Sequence, residues 1–241
     1  VAANGSLVAY AGLAGIILVD PRNGGTVLDT IPQECCGSVH LAISPDGEQV
    51  AYWDGWNREL KAVRRDGTFA RVLEARPDIR APQFARVTWA GPERVLAVQW
   101  GRTAEGQSSG TAEVVEYDLR LGGARRMLEP LRDIPSAMAP TDLSANADGT
   151  VLAWSVWDGE QPAKVFVANA EGEVVRTLEI TEPNVGIGVG QVSPDGRSAV
   201  FSASQGPLCV TCLAKVDLQT GATTLVETGM IQPFPRAWLP E

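Results

Sequence analysis

A ring of five four-stranded antiparallel sheets is the all-β fold class that this 241-residue sequence predicts, and three observations predict it. The phrase SPDGEQVAYW at Ser44 to Trp53 returns as SPDGRSAVFS at Ser193 to Ser202, 193 − 44 = 149 residues later. A second phrase, Asp-x-x-x-Gly, falls between copies of the first. The two ends of the chain, lastly, read as parts of one sheet. Short four-stranded units at a period of roughly 40 to 50 residues are the signature of β-propeller blades, because one such sheet cannot bury both faces until neighbours stack on it.

The first phrase is a hairpin. In SPDG, proline presets φ for the first corner of a turn, aspartate caps the backbone locally and glycine takes the left-handed position that closes it. The flanking QVAYW and SAVFS alternate and are β-branched or aromatic, as half-buried strands should be. Weaker echoes stand at AANGSLVAY (Ala2 to Tyr10), GPERVLAVQW (Gly91 to Trp100), NADGTVLAWSVW (Asn146 to Trp157) and, cut short, AWLPE at the end. From Pro45 to Pro92 is 47 residues, then 55 to Ala147, 47 to Pro194 and 46 to Pro240. The mean step, (240 − 45)/4 ≈ 49, gives about five units.

The second phrase tests the period independently. VDPRNGG (Val19 to Gly25), YDLRLGG (Tyr117 to Gly123) and VDLQTGA (Val216 to Ala222) share it, while RRDGT and NAEGE hold its place in the other two units. Each unit thus reads as strands a and b around the first turn and c and d around the second. Whole blades are expected over about 38–75, 82–130, 137–180 and 185–228, within a single propeller domain over 1–241. The N-terminus supplies b, c and d of a fifth, composite blade over 1–31, and FPRAWLPE, within 232–241, reads as its strand a. Pairing first and last strands would close the ring and remove exposed edges.

Through SPDG, the following VAY or AVF strand and the Asp-x-x-x-Gly turn, the chain resembles the TolB-like, and more loosely the WD40-like, propeller repeats over nearly its whole length. The resemblance implies a propeller. Because TolB-like rings usually have six blades, a six-bladed ring is the alternative to five.

Composition narrows the partners. Net charge is −9, lysines are only Lys61, Lys164 and Lys215, and no basic run exceeds the pairs Arg64-Arg65 and Arg125-Arg126. Nucleic acid, which needs a concentrated basic face, is not expected as a partner. No apolar run approaches a membrane span, and the start VAANGSLVAY has neither an initiator Met nor a basic, then apolar, leader. A mature or excised domain that does not itself insert into membrane is the expectation. No motif calls for a cofactor.

In this strand order the a–b and c–d turns lie on one face of the ring, and the d–a and b–c loops on the other. The turns are short and alike; the loops are long and differ, which is where function usually sits. Four cysteines belong to the loop face: Cys35 and Cys36 on the way into the first whole blade, Cys209 and Cys212 in the last b–c loop. They read as disulfide candidates with three possible pairings, a local Cys209–Cys212 pair being favoured; four reduced thiols, or a zinc site using some of them with His40, are the alternatives. If oxidised, they put the domain outside the cytoplasm, in the periplasm, at the cell surface or secreted, which also suits the TolB-like resemblance.

His40, the only histidine, falls five residues before Pro45, and Asp142 falls five before Ala147, so both belong at the loop-face end of an inner strand, near the channel mouth. Trp53, Trp56, Trp100 and Trp157 sit at the ends of b strands or in b–c loops and are candidate anchors for a protein or glycan partner; Trp89, Trp154 and Trp238 read as packing residues. A glycoside hydrolase would need two carboxylates around the scissile bond, and among the inner strands only Asp142 is acidic, with Glu34, Asp54 and Asp158 as loop acids that could reach in. The expectation is therefore a non-catalytic binding propeller, the extracytoplasmic sensor or interaction domain of a larger bacterial protein. The alternative is a polysaccharide hydrolase or lyase acting at the channel mouth.

Overall fold

Serine holds the repeated turn together. The Ser44 Oγ takes the N–H of Gln49 at 2.9 Å and donates to the Asp46 carboxylate at 2.5 Å, which also accepts the N–H of Glu48 at 3.0 Å. Gly47 closes the turn at φ 78°, its N–H reaching the Ser44 carbonyl at 2.9 Å. Ser193, Asp195 and Gly196 repeat the arrangement, with Ser198 N–H on Ser193 Oγ at 3.0 Å and Arg197 N–H on Asp195 at 3.0 Å. In NADGT, Asn146 replaces the serine, its amide oxygen taking the Val151 N–H at 2.9 Å. A side chain that satisfies backbone donors where the ladder breaks explains why one short phrase recurs.

The computed structural model describes residues 2–3, 7–12, 15–32, 40–54, 57–68, 70–75, 84–102, 108–157, 162–180, 185–205 and 210–227. They form five small antiparallel sheets arranged as a five-bladed propeller. Blade one is β1 (Ala2–Ala3), β2 (Val8–Gly12), β3 (Gly15–Asp20) and β4 (Thr26–Pro32). Blade two is β5 (Leu41–Ile43), β6 (Gln49–Asp54), β7 (Glu59–Arg64) and β8 (Arg71–Ala75). Blade three is β9 (Phe84–Trp89), β10 (Arg94–Arg102), β11 (Ser108–Asp118) and β12 (Ala124–Met127), with β13 (Ile134–Pro135) beside β11. Blade four is β14 (Ser144–Ala145), β15 (Val151–Val156), β16 (Lys164–Asn169) and β17 (Val174–Glu179). Blade five is β18 (Val185–Val192), β19 (Ser198–Gln205), β20 (Val210–Asp217) and β21 (Thr223–Glu227).

Two features depart from the sequence reading. In blade three, β12 pairs only Val115 to Asp118 of the 11-residue β11, so the chain returns after a 3-10 turn and β13 pairs Thr111 and Ala112. In blade one, Ala2–Ala3 forms a strand of its own, with Ala2 opposite Ala9 and Ala3 opposite Val8. The sequence reading gave that place to FPRAWLPE. Residues 228–241 lie outside the described residues, and closure of the ring by the C-terminal segment is a proposal.

Alternation along each strand feeds two interfaces at once. On β6, Val50 and Tyr52 enter the core shared with blade one, while Ala51 and Trp53 enter the core shared with blade three. On β15, Leu152 and Trp154 face blade three and Ala153 faces blade five. Among the described residues four such cores lie between successive blades, from one to five. Trp154 stacks on its cross-strand partner Phe166 at 5.3 Å between ring centroids, and the Trp89 Nε1–H bridges blades three and two to the Ala42 carbonyl at 3.0 Å. Each fully buried aromatic or branched side chain contributes about 1.5–3 kcal/mol, so the ring rests on blade-to-blade contact rather than on any one sheet.

Candidate functional site

The register of the inner hairpins aligns the blades residue by residue. Ile43 lies opposite Val50, Trp89 opposite Val95 and Ala145 opposite Leu152. Three residues upstream of each stands His40, Arg86 or Asp142. One repeat position in three successive blades therefore carries an imidazole, a guanidinium and a carboxylate, ahead of β5 and β14 and within β9. Sequence reasoning missed Arg86 because the GPER hairpin is a residue shorter: its paired residues are six apart, against seven in the SPDG and NADG hairpins. Counting back five from Pro92 lands on Val87.

The three groups differ in state. His40 is partly buried, and its carbonyl accepts the Trp53 N–H at 3.2 Å. Burial first, and then the positive charge of Arg86, push its imidazole down to about 4, so it is neutral at physiological pH. Asp142 is 4% exposed and accepts both the N–H of Ser155 at 3.1 Å and its hydroxyl at 2.6 Å. Burial pushes its carboxyl up to about 6, against the opposing pull of Ser155 and Arg86. The Ser155 Oγ also lies 3.1 Å from the Gly188 carbonyl of blade five, and Ser144 Oγ takes the Val192 N–H at 3.0 Å. Asp142 thus orients a serine at the seam between blades four and five.

The tryptophans separate. Trp53 is 2% exposed in the core between blades two and three, where strand alternation turns it into the interface, and it offers no surface to a partner. That corrects its reading as an anchor. Trp100 is partly buried, packed with Val156 and Phe166 against the core of blades three and four. Trp157, just past β15, is 46% exposed. Trp89 and Trp154 are buried packing residues. Trp56 lies outside the described residues, as do Trp238, Cys35, Cys36 and Cys209; Cys212 is on β20 opposite Ala203 and Glu227, its side chain not among those described.

Asp54 is not free to reach the channel. It is buried at the end of β6 and accepts from Lys61 Nζ at 2.8 Å, Asn57 Nδ2 at 2.8 Å and Asn57 N at 3.1 Å. Burial pushes its carboxyl up, but the bonds from Lys61 and Asn57 outweigh that and hold it below the ordinary carboxylate range. Glu34 and Asp158 lie outside the described residues. Among the described residues no group of three or more His, Cys, Asp or Glu side chains is placed to hold a metal ion, and no helix is long and apolar enough to cross a membrane.

Comparison with solved structures supports the fold. A chain of a nidogen/laminin complex is similar over 95% of this chain and 79% of that one, with a TM-score of 0.61 at 16% identity. TolB from Acinetobacter baumannii is similar over 88% of this chain at a TM-score of 0.61 and 14% identity, and this chain spans 48% of its length. Hydrazine synthase from Kuenenia stuttgartiensis is similar over 96% of this chain and 65% of that one, at a TM-score of 0.59 and 12% identity. Three proteins so different in name share the scaffold, so the likeness defines a propeller and leaves its work to its own site. No protein-family model and no curated protein sequence matches the chain.

Proposed function

We propose that this chain is a non-catalytic binding propeller that engages a protein or glycan through its loop face, as the extracytoplasmic sensor or interaction domain of a larger bacterial protein. The observation that carries the reading is the repeat position of His40, Arg86 and Asp142. A scaffold that keeps the same residues at the turn ends of its strands carries three different ionisable groups at one repeat position, which supports a role for them beyond the fold. Trp157, exposed just past β15, supplies an aromatic surface of the kind that anchors a partner. The nidogen/laminin complex lends the idea of a protein partner by analogy of fold alone. Hydrolysis gains no support, since Asp142 is buried on Ser155 and Asp54 is locked by Lys61 and Asn57. Placement outside the cytoplasm rests on Cys35, Cys36, Cys209 and Cys212; fewer than four titratable thiols in the denatured, unreduced protein supports it, and four would remove it.

The test is a screen of the immobilised protein against a glycan array and a bacterial envelope extract, repeated with variants. A genuine loop-face ligand loses at least tenfold in affinity with Trp157→Ala or Arg86→Ala and is unaffected by Arg22→Ala on the opposite face. A ligand lost with Arg22→Ala and kept by Trp157→Ala would overturn the assignment.

A further inference from the structure

The three Asp-x-x-x-Gly turns allow an internal comparison. In blade one the third residue after the start, Asn23, donates to Asp20 at 2.9 Å; in blade five its counterpart Thr220 donates to Asp217 at 3.0 Å. Both lock the turn. Blade three has the same backbone closure, with Arg120 N–H on Asp118 at 2.9 Å and Gly123 N–H on the Asp118 carbonyl at 2.8 Å, yet the place belongs to Leu121, which is 70% exposed. An apolar side chain has replaced a turn-locking polar one and gained no burial.

Leu121 stands on the rim of a cleft of about 440 Å³ between the turn-face ends of blades three and four, beside Arg94, Arg120, Arg125 and Arg126. A second cleft, about 430 Å³, lies on the other side of the same hairpin. Charges around Leu121 are layered rather than mixed. Arg126 is 59% exposed over a Glu116 that is 8% exposed, 3.2 Å away, and Arg120 is 63% exposed over an Asp118 that is 15% exposed, also 3.2 Å away. Arg125, 41% exposed, lies outside a Glu74 that is 9% exposed, 3.4 Å away. Asp118, Glu74 and Glu116 sit beneath their guanidiniums, which reach further out, while Glu93, 51% exposed, meets Arg120 at the surface at 3.2 Å, and the sum of charge is near balance. Each guanidinium has five N–H donors, and the acids below engage only part of them. Glu93 and Glu171 mark the acidic limits of the patch.

We infer that the Leu121 hairpin is a second docking surface, for an acidic polypeptide segment that carries an apolar side chain. The partner's carboxylates take the outward N–H groups of Arg120, Arg125 and Arg126, and its apolar residue covers Leu121. This surface lies on the face opposite the channel mouth and does not depend on a loop-face ligand.

The probe is a fluorescein-labelled ten-residue peptide of glutamates and two leucines, followed by anisotropy in low and high salt. Binding is expected to weaken at least tenfold with Arg120→Glu/Arg126→Glu and at least threefold with Leu121→Asn, to weaken as salt rises, and to be unchanged by Trp157→Ala. Leu121→Asn installs the residue that blade one uses, so its melting temperature should be unchanged or higher, which separates lost binding from lost folding. Binding that survives both sets of substitutions would overturn the inference, as would no binding at low salt. Tighter binding of a single-stranded DNA decamer than of the peptide would overturn it equally.

Discussion

The inner strands have two ends, and the ends obey different rules. At the turn end, Ser44, Asn146 and Ser193 carry one hydrogen-bonding scheme through three blades, because the backbone of a tight hairpin demands the same acceptor each time. At the other end of the first strands, blades two, three and four hold His40, Arg86 and Asp142, and His40 and Asp142 are served by different local arrangements. His40 is neutralised by burial, while Asp142 is fixed by Ser155. Repetition marks where the fold dictates the residue; departure from repetition marks where it does not. That is the physical basis for seeking function at positions that depart from the repeat, whether at His40, Arg86 and Asp142 or at Leu121 among the turns.

The largest effect should come from opening the ring. If Phe234 to Glu241 closes blade one, deleting it removes Phe234 and Trp238 from the interface and should lower stability by roughly 4 kcal/mol, at about 1.5–3 kcal/mol for each buried side chain. Urea unfolding checks this, and a truncated chain that unfolds at the same midpoint would end the closure proposal. Next is Gly149→Ala. Gly149 sits at φ 74° with the Ala90 backbone of blade three against it, so a methyl group meets both a left-handed backbone and a neighbouring carbonyl. A loss of about 3 kcal/mol is expected in the same assay. Ser193→Ala should lose about 1–2 kcal/mol by leaving the Ser198 N–H without its acceptor. An Arg86 substitution costing as much as any of these would blur the contrast between the two ends.

Much of this was legible in the sequence. SPDG and Asp-x-x-x-Gly gave the period, the strand order and the five blades, because each phrase is a short-range solution to a backbone problem and needs no tertiary information. The position of His40 and Asp142 followed from the same counting. Arg86 did not, since one residue missing from the GPER turn shifts the count while leaving the spatial register intact. Trp53 was misread for another reason: the end of a b strand looks exposed in sequence, yet at that position the side chain points into the next blade. The two-residue β1 and the returning β13 were too short to carry a periodic signal.

The central claim is that the ionisable groups at the channel mouth are not kept for stability, and the most direct measurement is the stability difference between Asp142→Asn and the parent across pH. The folded Asp142 carboxyl titrates at about 6 against an ordinary value of 3.8, so the folded state holds its proton more tightly than the unfolded. Its contribution to stability is therefore full below the ordinary value and is lost as pH rises through about 6, by about 3 kcal/mol. His40 runs the other way: lowered to about 4 from 6.5, it favours the fold above the ordinary value and loses that contribution as pH falls toward 4. The parent should thus show a flattened profile between pH 4 and 6.5. Subtracting it from the variant, in which His40 is retained, leaves the Asp142 contribution. Urea unfolding at pH 4.5, 6 and 7.5 should show the Asn variant gaining on the parent by about 2 kcal/mol over that range, the rest of the change lying below pH 4.5. A difference that stays constant, or a variant that loses ground toward pH 7.5, would contradict the account and make the Asp142 charge a support of the fold.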